Sequence, residues 1–235
     1  MNEHISSAYD RDLQRITTLI MKMGGLVEEA ILKAAKSLAD RDLEMAEEVR
    51  AGDKAIDALE ILINEEAART IALRAPVSKD LRSLLTVLRL AASLERIGDY
   101  AKNIAKRTSV LVEMNPVSGA DAALRRMARE VEQMLKDTLD AYVRGDAVLA
   151  EDVRQRDQEV DHMYNALFRE FLTFMMEDPR NITSCMHLHF MAKNIERMGD
   201  LTTNMAEQVI YLVTGEMPEE ARPKGDKTAF AVTPS

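Results

Sequence analysis

The chain is 235 residues long, with 46% apolar residues, only 4% aromatic ones and a formal net charge of −9. That length holds one large domain or two small ones, and an acidic surface repels nucleic-acid phosphates, which sets DNA and RNA binding aside. A single cysteine, Cys185, excludes an internal disulfide and a four-cysteine zinc site, so any metal must be held mainly by oxygen.

Six prolines and nine glycines, set against abundant Ala, Leu, Met, Glu and Arg, favour helix over strand. The first segment is helical in pattern and is interrupted by Gly24-Gly25, which predicts a kink or a helix–helix contact. After a break near 39–42, the second segment carries Ala46, Val49, Asp53, Ile56 and Ile63 on one stripe. Ala75-Pro76 ends it. The third segment, from about Ser78 to Glu113, places Val87, Leu90, Leu94, Ile97, Ala101 and Ile104 toward a core. Arg82, Arg89, Arg96, Tyr100, Asn103 and Arg107 fall on the opposite side. It would span roughly 54 Å. Turn residues at 115–119, 144–146 and 177–181 delimit the fourth, fifth and sixth segments, and in the fifth Asp157 continues the stripe of Val153, Val160 and Leu167. The sixth ends near Thr214-Gly215, where glycine is the expected stop. Residues 216–235 hold three prolines and mixed charge, the composition of a flexible tail. The start MNEHISSAYD has neither the basic opening nor the apolar run of a signal peptide, and no stretch is long and apolar enough to span a bilayer, so a cytoplasmic protein is expected.

The second half repeats the first. Leu94-Glu95-Arg96-Ile97-Gly98-Asp99 returns 101 residues later as Ile195-Glu196-Arg197-Met198-Gly199-Asp200, and Asn103 returns as Asn204. Met45-Ala46-Glu47-Glu48-Val49-Arg50 returns 104 residues later as Leu149-Ala150-Glu151-Asp152-Val153-Arg154, with Asp53 and Asp57 returning as Asp157 and Asp161. A duplicated three-helix unit follows. The expected fold is all-α: two tandem, similar three-helix bundles related by an internal pseudo-twofold, over 1–115 and 116–215.

Each repeat holds two acidic pairs four residues apart, Asp53 with Asp57 and Glu95 with Asp99, then Asp157 with Asp161 and Glu196 with Asp200. Members of a pair lie about 40° apart on adjacent turns and can reach one ion. One such pair is an ordinary solvated helix face. Repetition on inward stripes is harder to explain, because like charges at this spacing destabilise a helix unless a cation neutralises them. Gly98 and Gly199 inside helices point to close approach by a neighbouring element. Paired carboxylates from two helices are hard oxygen ligands for iron, magnesium, manganese or zinc. The competing reading has Arg96, Arg197 and nearby lysines pairing with these acids as surface ion pairs. Cys185, His187 and His189 lack a partner cluster; Asn103 and Asn204, one turn beyond the acids, could add amide oxygens, although Asn103 falls to the side of the stripe, as His162 does.

At these residues the sequence resembles the PhoU family of phosphate-transport regulatory proteins, whose mark is a repeated Glu/Asp-x-x-x-Asp motif. The match runs from about His4 to Gly215 and includes Gly52-Asp53-Lys54, Ser78-Lys79-Asp80-Leu81-Arg82 and both Glu-Arg-x-Gly-Asp motifs. The resemblance implies a homodimer that holds metal ions in multinuclear clusters, iron first among them, through the eight acids. It implies a negative regulator that meets the phosphate ABC transporter ATPase subunit and a sensor histidine kinase at the inner face of the plasma membrane. Members often carry His after the motif's Asp. Here Tyr100 and Leu201 stand there, so a ligand set using that His is smaller. Two alternatives are a ferritin-like di-iron carboxylate oxidase, which needs two Glu-x-x-His motifs where only 159–162 has one, and a metal-free helical scaffold.

Overall fold

The computed structural model describes residues 2–218, with side chains described from residue 8 onward; most of the expected tail, 219–235, lies outside the described residues. Six long helices run α1 Asn2–Asp40, α2 Leu43–Arg74, α3 Ser78–Leu111, α4 Ala120–Arg144, α5 Ala147–Glu177 and α6 Ile182–Thr214, with a short 3-10 turn at Pro179–Asn181. No strand is present among the described residues.

The ends are set by local chemistry. The Asp42 carboxylate accepts from the backbone N–H of Met45 at the start of α2, and Asp146 accepts from those of Val148 and Leu149 at the start of α5. Each satisfies donors that the first helical turn leaves unpaired. Gly215 closes α6 at a φ of 88°, and its N–H donates to Tyr211, a left-handed cap that glycine adopts without strain.

Within the first half α1, α2 and α3 pack on one another, and within the second so do α4, α5 and α6. The halves meet along two antiparallel helix pairs, α1 with α4 and α3 with α6. On the first, the hydroxyls of Thr17 and Tyr142 lie 3.2 Å apart. Helix α1 passes through Gly24-Gly25 unbroken. A Cβ on Gly24 would come within 2.3 Å of Leu139 Cδ1, so this glycine serves a helix–helix contact between the halves. Along the second pair Arg89 meets Gln208, Arg197 lies over Tyr100 and Arg107 lies over Phe190, which puts Gly98 level with Gly199. The two three-helix bundles therefore share one apolar interior, with α1, α3, α4 and α6 at its centre and α2 and α5 on the flanks. The core stripe of α3 (Val87, Leu90, Leu94, Ile97, Ala101 and Ile104) is buried throughout, as its spacing predicts.

Candidate functional site

The first acidic cluster lies between α2 and α3. Asp53 occupies a core position on α2, flanked by buried Val49 and Ile56, and is 5% exposed. Its carboxylate reaches α3 beside Gly98: a Cβ there would stand 3.0 Å from Ile56 Cδ1 and 3.7 Å from Asp53 Oδ1. Glycine at 98 thus lets α2 close on α3 at the level of the acid. Asp57, Glu95 and Asp99 are half-buried around it. The Lys102 ammonium bridges the helices, donating to Asp53 Oδ2 and to Asp99 Oδ1, the latter at 2.5 Å. Asp53 Oδ1 is buried and has no hydrogen-bond partner.

The electrostatics agree with crowding. Burial, then repulsion by Asp53 and Asp99, pushes the Asp57 carboxyl above the usual range. Burial, then Asp99, Glu60, Asp57 and Asp53, does the same to Glu95. Hydrogen bonds to Asp53 and Asp99 hold the Lys102 ammonium above the ordinary lysine range. These four acids share one field, which Lys102 relieves at Asp53, Asp57 and Asp99 but not at Glu95.

The second cluster, between α5 and α6, is deeper. Asp157 is 2% exposed, Asp161 4% and Glu196 5%, while Asp200 is half-buried. A Cβ on Gly199 would meet Asp157 Oδ1 at 3.2 Å and Val160 Cγ1 at 3.4 Å, repeating the arrangement of Gly98 and Asp53. The cation here is Lys193, whose ammonium lies 2.8 Å from Glu196 Oε1 and 4.8 Å from the centre of the Tyr164 ring.

Lysines therefore pair with the acids, as the competing reading held, but Arg96 and Arg197 do not: both point outward, exposed, on the α3 and α6 surface. Among the described residues no three His, Cys, Asp or Glu side chains converge tightly enough to ligate one ion as they stand. The first cluster is closed around an ammonium instead. Sequence reading missed Lys102 and Lys193 as members of the site. Each lies three residues from a motif acid on its own helix face, and that spacing is the signal that marks them. Asn103, Asn204 and His162 are exposed. Cys185 is buried, His187 Nδ1 lies 3.2 Å from Arg107, and His189 stacks on the Tyr164 ring that also meets Lys193, with Phe168 tilted against it. No helix among the described residues is long and apolar enough to cross a membrane.

The PhoU domain model matches twice, over residues 20–108 and 124–209, one match for each half of this arrangement. The chain belongs to the PhoU family. The phosphate-specific transport system accessory protein PhoU homolog of Caulobacter vibrioides is 45% identical over 226 residues, 96% of this chain and 98% of its own. The homolog of that name from Rhizobium meliloti is 44% identical, over 96% of this chain and 95% of its own. Among solved structures, PhoU from Pseudomonas aeruginosa superposes with a TM-score of 0.86 at 38% identity, covering 88% of this chain and all of that one. The phosphate transport system regulatory protein PhoU from Streptococcus pneumoniae gives 0.83 at 31% identity, over 90% of this chain. This PhoU-family chain keeps both clusters at one level of the fold.

Proposed function

We propose that this chain is a regulatory adaptor of phosphate homeostasis, with domains over 1–115 and 116–215 and a tail beyond them. The observation that carries the reading is the family match across both halves, with relatives named as accessory proteins of phosphate-specific transport. In this reading a cytoplasmic homodimer restrains phosphate uptake and starvation signalling. It does so by binding the ATPase subunit of the phosphate ABC transporter and its sensor histidine kinase at the inner membrane face. Deleting the gene tests it: starvation-response genes should be expressed at high phosphate, and unchanged repression would overturn it.

Metal fits the donor set present. Asp53 Oδ1 is a buried carboxylate oxygen lacking a donor, and Asp57 and Glu95 carry carboxyls that a cation would ease back to ordinary values. Asp53, Asp57, Glu95 and Asp99 would hold one group of ions, and Asp157, Asp161, Glu196 and Asp200 the other. Iron, zinc, magnesium or manganese suits such oxygen ligands; the bound ion would neutralise the acids and fix each helix pair. Lys102 has to withdraw for this. Elemental analysis of protein purified without chelator tests the assignment, and replacing Glu95, Asp99, Glu196 and Asp200 together by Ala should abolish the metal content.

The Lys102 bridge favours a second reading, a scaffold in which lysine is the only counter-ion. Absence of metal together with an unchanged melting temperature in EDTA would select it. An oxidase reading gains nothing, because Glu159 and His162 are both exposed.

A further inference from the structure

We propose that the outer seam between α3 and α6 is a docking groove for an acidic, helical segment of a partner protein. Five arginines line it. Arg82, Arg89 and Arg96 recur every seven residues on α3, a step of about 10.5 Å that keeps them on one stripe. Arg107 extends the row, and Arg197 joins from α6. Elsewhere Arg15, Arg50, Arg74, Arg144, Arg154, Arg156 and Arg180 form ion pairs with carboxylates, while Arg126 and Arg129, scattered on α4, are like the seam in having none among the described residues but lack its row. Among the described residues the five seam arginines form none.

Four of the five have rings or an amide as partners instead. The guanidinium of Arg107 lies 4.4 Å from the centre of the Phe190 ring, that of Arg82 5.5 Å from Tyr211 and that of Arg197 6.0 Å from Tyr100. Arg89 donates to the Gln208 side chain at 2.6 Å. A guanidinium stacked in this way keeps its full charge and presents its N–H edge in a fixed plane, suited to a carboxylate. In a chain of net charge −9 such a stripe is the complement of an acidic surface, and complementarity of this kind sets partner choice and encounter rate.

Two more observations give the stripe the form of a groove. Leu85, Met186 and Phe190 stand 44%, 40% and 45% exposed among the arginines, so apolar side chains alternate with charge as in helix-in-groove recognition. At the Tyr211 end a cleft of about 230 Å³ opens between Leu85, Thr86, Arg89, Gln208, Tyr211 and Met217. Thr86 Oγ1, in the cleft, and Arg82 Nε, one turn before it on α3, are each buried without a hydrogen-bond partner. Thr70, Thr138, Thr202 and Thr203, also buried, all donate to the carbonyl four residues back. Thr86 is thus left with an unused hydroxyl in the cleft wall. The repeat explains the opening: Thr86 and Arg89 correspond to His187 and Phe190, which fill the other end against Arg107.

The proposal rests on the adaptor reading only for the source of the partner, so two assays separate them. In the first, fluorescence anisotropy follows a labelled helix-forming peptide with a Leu stripe flanked by Glu, and a peptide with Lys in place of Glu is the control. Arg82→Glu/Arg96→Glu/Arg197→Glu should weaken binding of the Glu peptide about ten-fold, and the Arg→Lys version two- to three-fold. Arg126→Glu/Arg129→Glu on α4 should bind as wild type does. If charge reversal lowers the melting temperature, the Arg→Gln triple variant gives the same reading with less disturbance. Equal binding by seam variants and wild type overturns the groove, as does an equal loss in the α4 variant. Tighter binding to anionic vesicles or duplex DNA than to the Glu peptide overturns the choice of occupant. In the second assay the full chain is co-purified with the phosphate transport complex. Loss of that complex by the seam variant alone supports the groove as its docking face, whereas failure of the wild type to co-purify overturns the transport reading and leaves the peptide result intact.

Discussion

Asp53 and Lys102 show how one buried charge is carried in a helical core. Desolvating a carboxylate is costly unless it is paired, and here the pairing cation comes from the neighbouring helix, spanning Asp53 and Asp99. Replacing Lys102 by Met should destabilise the chelated protein by about 1–2 kcal/mol, discounted for the partial exposure of the lysine. Manganese should then raise the melting temperature more in Lys102→Met than in wild type, because no ammonium competes for the acids. An equal or smaller rise in the variant would remove Lys102 from the site. Glu95 gives a pH test. Its carboxyl titrates above the ordinary value, so the folded state holds a proton that the unfolded chain releases, and stability falls as pH rises through that interval. Glu95→Gln should therefore raise the melting temperature by about 1–2 °C at neutral pH in EDTA. The gain should vanish below the ordinary carboxylate range, where both proteins are uncharged at this position. A gain that persists in acid would mean packing, not charge.

At the level of the helix, much of the order was legible because single residues mark it. The breaks read at 39–42 and 144–146 precede α2 and α5, Pro76 follows the end of α2, and Gly215 ends α6. The inward stripes placed Asp53 and Asp157 in the core from spacing alone. Gly24-Gly25 was legible only as a choice between a kink and a contact, since no local pattern names the facing helix. The structure separates the two glycines. Gly24 faces Leu139 across the α1–α4 contact, whereas a Cβ on Gly25 would meet nothing within 4 Å. Gly25→Ala should stabilise by about 0.5–1 kcal/mol through helix propensity, raising the melting temperature by about 2–3 °C. Gly24→Ala gains the same propensity but forces a buried leucine aside, at about 1–3 kcal/mol, and should be neutral or destabilising. Thermal unfolding of the two variants side by side decides whether α1 and α4 pack this closely; stabilisation by both would show that they do not.

Across the whole molecule, duplication puts the two acidic clusters at the same level of the α3–α6 pair, on either side of the arginine seam. The repeat itself was plain in the sequence, as was the row of arginines on α3. That the row faces outward along α6 was not, because pairing between the halves leaves no local signature. The arrangement couples cluster to seam through charge. Arg96 lies between Glu95 and Asp99 in sequence and Arg197 beside Glu196, so the carboxylates offset the field that an acidic partner would meet. A neighbouring charge about one helical turn away is worth up to ~1 kcal/mol near a protein surface and is screened within about 8–10 Å at physiological salt. Neutralising half-buried members by Glu95→Gln, Asp99→Asn and Asp200→Asn should then tighten binding of the Glu peptide about three- to ten-fold at low salt in EDTA, with little change at high salt. Metal added to wild type should act in the same direction. If the neutral variant binds no better than wild type at low ionic strength, cluster and seam are electrostatically independent, and metal occupancy has no route through charge to the docking face.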